Sequence, residues 1–125
     1  MQSYLPRILT VLVTASCVGC SILAPANCTL NVEPGINVRV QDAATGAPTA
    51  TNARLVVTDG AYTDSSYVTL RDDSATLSAA PERAGVYTVM VRKAGYVTWT
   101  RSGVEVTKGT CHVQPANLTA ALTKG

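Results

Sequence analysis

The chain has 125 residues, a formal net charge of +2 and only 5% aromatic residues, with no Phe, one Trp and one His. This length corresponds to one domain, and the abundant Val and Thr favour strands. The Lys and Arg residues form no cluster, so the sequence lacks the electrostatic footprint of a nucleic-acid-binding protein.

The first 20 residues, MQSYLPRILTVLVTASCVGC, have the pattern of an export signal. A short head with the single cation Arg7 precedes an apolar run that begins at Ile8 and ends in small residues and cysteine. This run is shorter than the roughly 20 residues that a membrane-spanning helix needs. We therefore predict a cleaved secretory segment; the alternative is a buried N-terminal helix.

The end of this segment resembles the lipobox of bacterial lipoproteins, in which small residues precede a cysteine that becomes the lipidated first residue. Cys20 directly follows Gly19, although Cys17 stands where the pattern prefers Leu. Cys17 is the alternative lipidation site, and a plain secretory signal is the alternative to lipidation. The resemblance implies a signal peptide over residues 1–19, and a lipidated Cys20 with its tether over residues 20–34.

The resemblance implies that lipidation would make the membrane a partner of this protein and place it in the bacterial cell envelope. Ser21 differs from the Asp that is associated with inner-membrane retention. The resemblance therefore implies the outer membrane, with the domain facing the periplasm or the cell surface.

Cysteine counting predicts a disulfide. Lipidation at Cys20 removes Cys17 and leaves two cysteines, Cys28 and Cys111, near the two ends of the mature domain. An exported protein meets an oxidising compartment, so we expect these two to be bridged. Two buried free thiols are the alternative.

Alternating apolar and polar residues predict about seven short strands, and no part of the mature chain shows a helical period. The segments are INVRVQD, ARLVVTD, YVTLRDD, ATLSAA, VYTVMVRK, VTWTRSGVEVT and CHVQPANLTAALT. Loops are predicted at AATGAPTATN and at DGAYTDSS, where Asp59-Gly60 opens a turn.

Two positions predict local irregularities in these strands. Ser102-Gly103 indicates a break or a β-bulge. Pro115 cannot donate to a ladder, so the last segment is expected at a sheet edge or bent there. The whole pattern predicts an all-β fold, a single antiparallel β-sandwich.

The stretch GVYTVMVRKAGY resembles the signature strand of carboxypeptidase regulatory-like domains. These are prealbumin-like, Ig-like sandwiches related in shape to transthyretin and to starch-binding domains. The matching positions are Gly85, Tyr87, Val89, Val91, Gly95 and Tyr96, and, in an earlier hairpin, Val38, Val40, Asp42, Thr45, Gly46, Pro48 and Val57.

This resemblance covers residues 35–123, which it implies to be the sandwich domain. Its positions are turn and core residues, so it indicates a fold more than a function. At the turn, Gly95 permits the backbone conformation, and Tyr96 is expected to cap the core with its hydroxyl in water.

The sequence offers no catalytic group in a recognisable arrangement. His112 is the single His, and its neighbour Cys111 is expected in the disulfide rather than as a nucleophile. The acids at Asp59, Asp64, Asp72 and Asp73 do not have an EF-hand spacing. We therefore predict no catalytic residues, no metal site and no cofactor.

Four aromatic residues are candidates for ligand contact. Tyr62 and Tyr67 flank a predicted loop, and Trp99 shares the parity of Val97 and is expected on an apolar face. The candidates are Tyr62, Tyr67, Tyr96 and Trp99.

Two functions are consistent with these features. The first is a non-enzymatic, membrane-tethered envelope lipoprotein whose sandwich is an interaction or structural module for envelope proteins. The alternative is a carbohydrate-binding module that holds glycans with the loop aromatics.

Overall fold

The computed structural model describes residues 27–125. The predicted signal peptide, Cys17, Cys20 and Ser21 lie outside the described residues. The strands are β1 (Pro34–Asp42), β2 (Arg54–Asp59), β3 (Tyr62–Tyr67), β4 (Thr76–Pro81), β5 (Gly85–Arg92), β6 (Trp99–Lys108), β7 (Val113–Gln114) and β8 (Ala116–Leu122).

The strands form two sheets, which confirms the predicted all-β sandwich. One sheet has the order β4-β1-β8 and the other has the order β3-β2-β5-β6-β7. All pairings between these strands are antiparallel except that of β1 with β8, which is parallel. Within residues 27–125, no helix is long and apolar enough to cross a membrane.

The core lies between the two sheets and follows the period of two that strands impose on side chains. β1 buries Ile36, Val38 and Val40, and β5, at the centre of the larger sheet, buries Tyr87, Val89 and Val91. Each fully buried aliphatic side chain contributes about 1.5–3 kcal/mol relative to exposure. With no Phe available, Tyr87 is the largest fully buried side chain among the described residues.

The prediction at DGAYTDSS was wrong in part, because residues 62–67 form a strand rather than a loop. Gly60, with φ +57°, and Ala61 make a two-residue turn, and β3 then pairs antiparallel with β2. Its polar composition reflects an edge position, since β3 has a strand on one side only. The following YVTLRDD was predicted as a strand, but beyond Tyr67 it contributes only an isolated bridge at Val68.

The predicted irregularity at Ser102-Gly103 is confirmed as a β-bulge in β6. Tyr87 lies opposite Val104, whereas Val89 lies opposite Arg101, so β6 contains one extra residue between these two pairs. Gly103 has φ +69°, a left-handed conformation that disfavours other residues.

The prediction for Pro115 is also confirmed. This residue lies between β7, an edge strand of the larger sheet, and β8, an edge strand of the smaller one. The chain therefore changes sheets at a residue that has no N–H to give to either ladder.

The predicted disulfide is present. Cys28 and Cys111 are bonded across a separation of 83 residues, with their Cα atoms 5.1 Å apart. Cys28 precedes β1 and Cys111 precedes β7, so the bridge fixes the segment before the first strand against the end of the sandwich where β7 begins.

The disulfide gives the first testable prediction. The variant Cys28→Ala/Cys111→Ala should lose about 2–4 kcal/mol of unfolding free energy, because the bridge restricts the unfolded chain. Urea denaturation of the full chain measures this loss.

Addition of a thiol reductant provides the control. It should lower the midpoint of the wild-type chain to that of the variant and leave the variant unchanged. Equal midpoints for the oxidised wild type and the variant would contradict a stabilising role.

Candidate functional site

The four candidate aromatics do not form one surface. Trp99 lies opposite Val91 at the start of β6 and packs, partly buried, against the core, as expected for an apolar face. Tyr62 and Tyr67 are the two ends of β3, and their odd spacing directs them to opposite faces of the sheet. Of the four, only Tyr67 is largely exposed, with 62% of its surface accessible.

Tyr62 belongs to a structural network. Its ring meets Tyr87 edge-on, with 6.2 Å between the ring centroids, and the Arg83 guanidinium lies 4.0 Å above it. That guanidinium donates to Asp59 Oδ2 and to the Tyr87 hydroxyl, both at 2.9 Å. Burial raises the pKa of Tyr62 above its ordinary value. These contacts occupy Tyr62 within the fold.

Tyr96 differs from its prediction, because its hydroxyl forms a hydrogen bond within the protein. It donates to Asp42 Oδ2 at 3.0 Å, while Asp42 Oδ1 accepts from the backbone N–H groups of Ala44 and Thr45. The hydrogen bond from the Tyr96 hydroxyl is the main cause that holds the pKa of Asp42 below its ordinary value of 3.8, and the hydrogen bond from the Thr45 N–H is the second cause. The pair fastens the loop after β1 to the turn before β6.

Tyr67 lies at the end of a row of side chains that crosses three strands. It pairs with Arg54 on β2, and Arg54 pairs with Arg92 on β5. The Arg54 guanidinium lies 6.0 Å from the Tyr67 ring centroid and 3.5 Å from Ser65 Oγ. Asn52, Arg54, Tyr67 and Thr69 line a shallow cleft at this edge.

We call Asn52, Arg54, Tyr67, Thr69 and Arg92 the Tyr67 face. All five residues are exposed. Among the described residues, neither Arg54 nor Arg92 has a carboxylate within salt-bridge distance. The face therefore presents an aromatic ring, two uncompensated guanidinium groups and two neutral hydrogen-bonding side chains.

A second cluster surrounds the disulfide. His112 Nδ1 lies 2.5 Å from Glu82 Oε1, and His112 Nε2 lies 2.9 Å from Thr29 Oγ1. Glu82 also accepts from the N–H groups of Glu33 and Val113. The hydrogen bond from the Glu33 N–H is the main cause that lowers the pKa of Glu82, and the hydrogen bond with His112 is the second cause.

The Thr29 hydroxyl, the His112 imidazole and the Glu82 carboxylate are hydrogen-bonded in the same order as the catalytic triad of acyl-transfer enzymes. Every contact, however, lies among residues 29–33, 82 and 112–113, beside the disulfide, and two of the contacts hold residues 29–33 directly. Glu82 also has φ +51°, and its own N–H donates to Glu33 O. We interpret the cluster as a clasp that holds the segment before β1.

The four acids discussed above have separate roles. Asp59 pairs with Arg83, Asp64 accepts from the Ala80 N–H, Asp72 accepts from Ser74, and Asp73 accepts from the Thr51 N–H. Within residues 27–125, no three His, Cys, Asp or Glu side chains are grouped so that they could hold a metal ion.

Sequence reasoning did not find Arg54 and Arg92 or the contact between Glu82 and His112. The two arginines are 38 positions apart in the printed sequence, and only the register of β2 with β5 makes them neighbours. Glu82 and His112 are 30 residues apart, with no motif between them.

No protein-family model matches this chain, and no curated protein matches it. The resemblance of residues 35–123 to carboxypeptidase regulatory-like domains therefore stays a prediction from the residues.

The contact between Tyr96 and Asp42 gives a prediction about pH. Because the pKa of Asp42 is depressed in the folded protein, its ionisation stabilises the fold above the ordinary pKa, and this contribution is lost as the pH falls through the folded pKa. Tyr96→Phe should raise that pKa. The stability difference between wild type and variant should then be largest near neutral pH and shrink in acid.

NMR titration of the Asp42 carboxyl group, together with acid unfolding, measures both effects. Tyr67→Phe is the matched control, since it removes an exposed hydroxyl on another part of the surface. A pKa of Asp42 that is the same in both variants would contradict the assigned cause.

Proposed function

We propose that this protein is a lipid-anchored component of the bacterial cell envelope whose β-sandwich acts as a non-enzymatic interaction or structural module. The observation that carries the proposal is the disulfide at Cys28, eight residues after the lipobox-like Cys20. A disulfide is typical of exported proteins. It lies where a lipid anchor would join the domain.

The spacing sets how the domain would stand on the membrane. Residues 21–27 separate Cys20 from the bridged Cys28 and span at most about 25 Å when fully extended. A domain held this closely is suited to a partner that is also near the membrane. By resemblance to lipoproteins with no Asp after the lipidated cysteine, we propose the outer membrane, with the domain facing the periplasm or the cell surface.

Membership of the carboxypeptidase regulatory-like family is part of the same proposal. Gly85, Tyr87, Val89 and Val91 lie on the central strand β5, and Gly95 has φ +83° in the turn that follows. These placements agree with core and turn roles for the matching residues, so they support a sandwich of this kind and no particular activity.

Carbohydrate binding is the second candidate function, and the exposure of Tyr67 is the observation that favours it. An exposed tyrosine ring offers an apolar face for a sugar, and the neighbouring Asn52 and Thr69 offer hydrogen bonds. Of the predicted aromatics, Tyr62 and Tyr96 are occupied by contacts within the fold.

Lipidation can be tested directly in a bacterial expression host supplied with a clickable palmitate analogue. The wild-type chain should acquire the label and sediment with membranes. Cys20→Ser should lose the label and leave the membrane fraction.

Cys17→Ser is the matched control, because it changes a cysteine three positions away within the same segment. It should remain labelled if Cys20 is the lipidated residue. Loss of label in Cys17→Ser with retention in Cys20→Ser would move the site to Cys17, and an unlabelled wild type would overturn the anchor.

A further inference from the structure

The topology separates two ends of the sandwich. The tether end contains the disulfide, the start of β1, the turn from β2 to β3 and the loop from β4 to β5. The distal end contains the end of β1, the start of β2, the loop from β3 to β4 and the turn from β5 to β6. The Tyr67 face lies at the distal end.

Charge is distributed unequally between these ends. At the tether end, the carboxylates are Glu33, Asp59, Asp64, Glu82 and Glu105, and the cationic side chains are Arg83 and Lys108. At the distal end, the cations are Arg54, Arg71, Arg92, Lys93, Arg101 and Lys124, and the carboxylates are Asp42, Asp72 and Asp73. Arg39 lies within β1, between the two ends. The distal end is therefore the cationic one.

Among the described residues, the distal carboxylates accept hydrogen bonds from other groups, and none of them forms a salt bridge with Arg54 or Arg92. Asp42 accepts from Tyr96, Asp72 accepts from Ser74, and Asp73 accepts from the Thr51 N–H. Arg54 and Arg92 are directly opposed on neighbouring strands. Like charges in this position destabilise a sheet unless an anion lies between them.

The side chains around the two arginines indicate what kind of anion binds. A guanidinium group matches a planar carboxylate with two hydrogen bonds. Tyr67, a residue that is 62% exposed, continues the same row, and its ring provides a stacking surface. Asn52 and Thr69 add neutral donors and acceptors in the same cleft.

We propose that the Tyr67 face binds a carboxylated glycan, with Arg54 and Arg92 on the carboxylate and Tyr67 against the sugar ring. Charge alone would suit an acidic peptide as well as a carboxylated glycan. The aromatic ring, against which a sugar can stack, favours the glycan. The proposal rests on the second candidate function above, carbohydrate binding, and deepens it by naming the class of glycan. The proposal also orients the domain on the membrane. The acidic tether end would face the membrane, and the cationic distal end would point away from it.

The test is a titration of the purified full chain, in detergent and at low ionic strength, with a hexamer of galacturonic acid. Maltohexaose serves as the neutral glycan and hexaglutamate as the acidic peptide. We expect binding of the galacturonate hexamer that is weakened by salt. Arg54→Gln/Arg92→Gln should weaken it about tenfold or more, because two charge-assisted contacts are lost.

Tyr67→Ala should also weaken this binding. Arg39→Gln/Lys108→Gln is the matched control, since it removes two exposed cations elsewhere: Arg39 on the outer face of the smaller sheet and Lys108 at the tether end. This control should bind the galacturonate hexamer as the wild type does. All of these positions are exposed, and circular dichroism checks that each variant is folded.

Three results would overturn the proposal. Equal binding of hexaglutamate with no effect of Tyr67→Ala would assign the face to acidic peptides. If Arg39→Gln/Lys108→Gln weakened galacturonate binding as much as Arg54→Gln/Arg92→Gln does, the binding would depend on net charge and not on this face. Absence of galacturonate binding by a folded wild type would remove the site, while the palmitate experiment would still decide separately whether the protein is anchored.

Discussion

The burial of the inward faces of β1 and β5 in one core is the constraint on which the other features depend. Each strand provides three buried apolar side chains at alternate positions, and those on β1 and two of the three on β5 are aliphatic. Small β-branched residues fill such an interface only when the sheets approach closely. This close approach brings the side chains at the margins of the two sheets within hydrogen-bonding distance of each other.

The margins of the sandwich are joined by polar contacts. Asp64 on the edge strand β3 accepts from the N–H of Ala80 on the edge strand β4. Ala80 has φ +54°, a conformation that costs energy for a residue with a side chain. A backbone N–H that would otherwise lie at an open edge is thereby satisfied. An inward-facing charge is also one means by which natural sheets discourage edge-to-edge association.

Local chemistry predicted some features of the fold and missed others for an identifiable reason. The bulge at Ser102-Gly103 and the change of sheet at Pro115 were predictable because Gly and Pro restrict or permit the backbone directly. β3 was missed because it is an edge strand of Thr, Ser and Asp between two tyrosines, a composition shared with loops. Tyr67 was predicted as a candidate, but its neighbours Arg54 and Arg92 were missed because they depend on register, which is fixed by the packing of the whole sheet.

The disulfide also determines how the sandwich would respond to a mechanical load. Tension applied to the chain before Cys28 would otherwise pull on the start of β1 and detach it, residue by residue, from β4 and β8. The covalent bond to Cys111 transfers that load to the segment before β7. The hydrogen-bonded cluster of Glu82 and His112 lies beside the same bond. Force would thus reach the sandwich at two points on opposite sheets, and separating them requires shearing the core rather than peeling one strand.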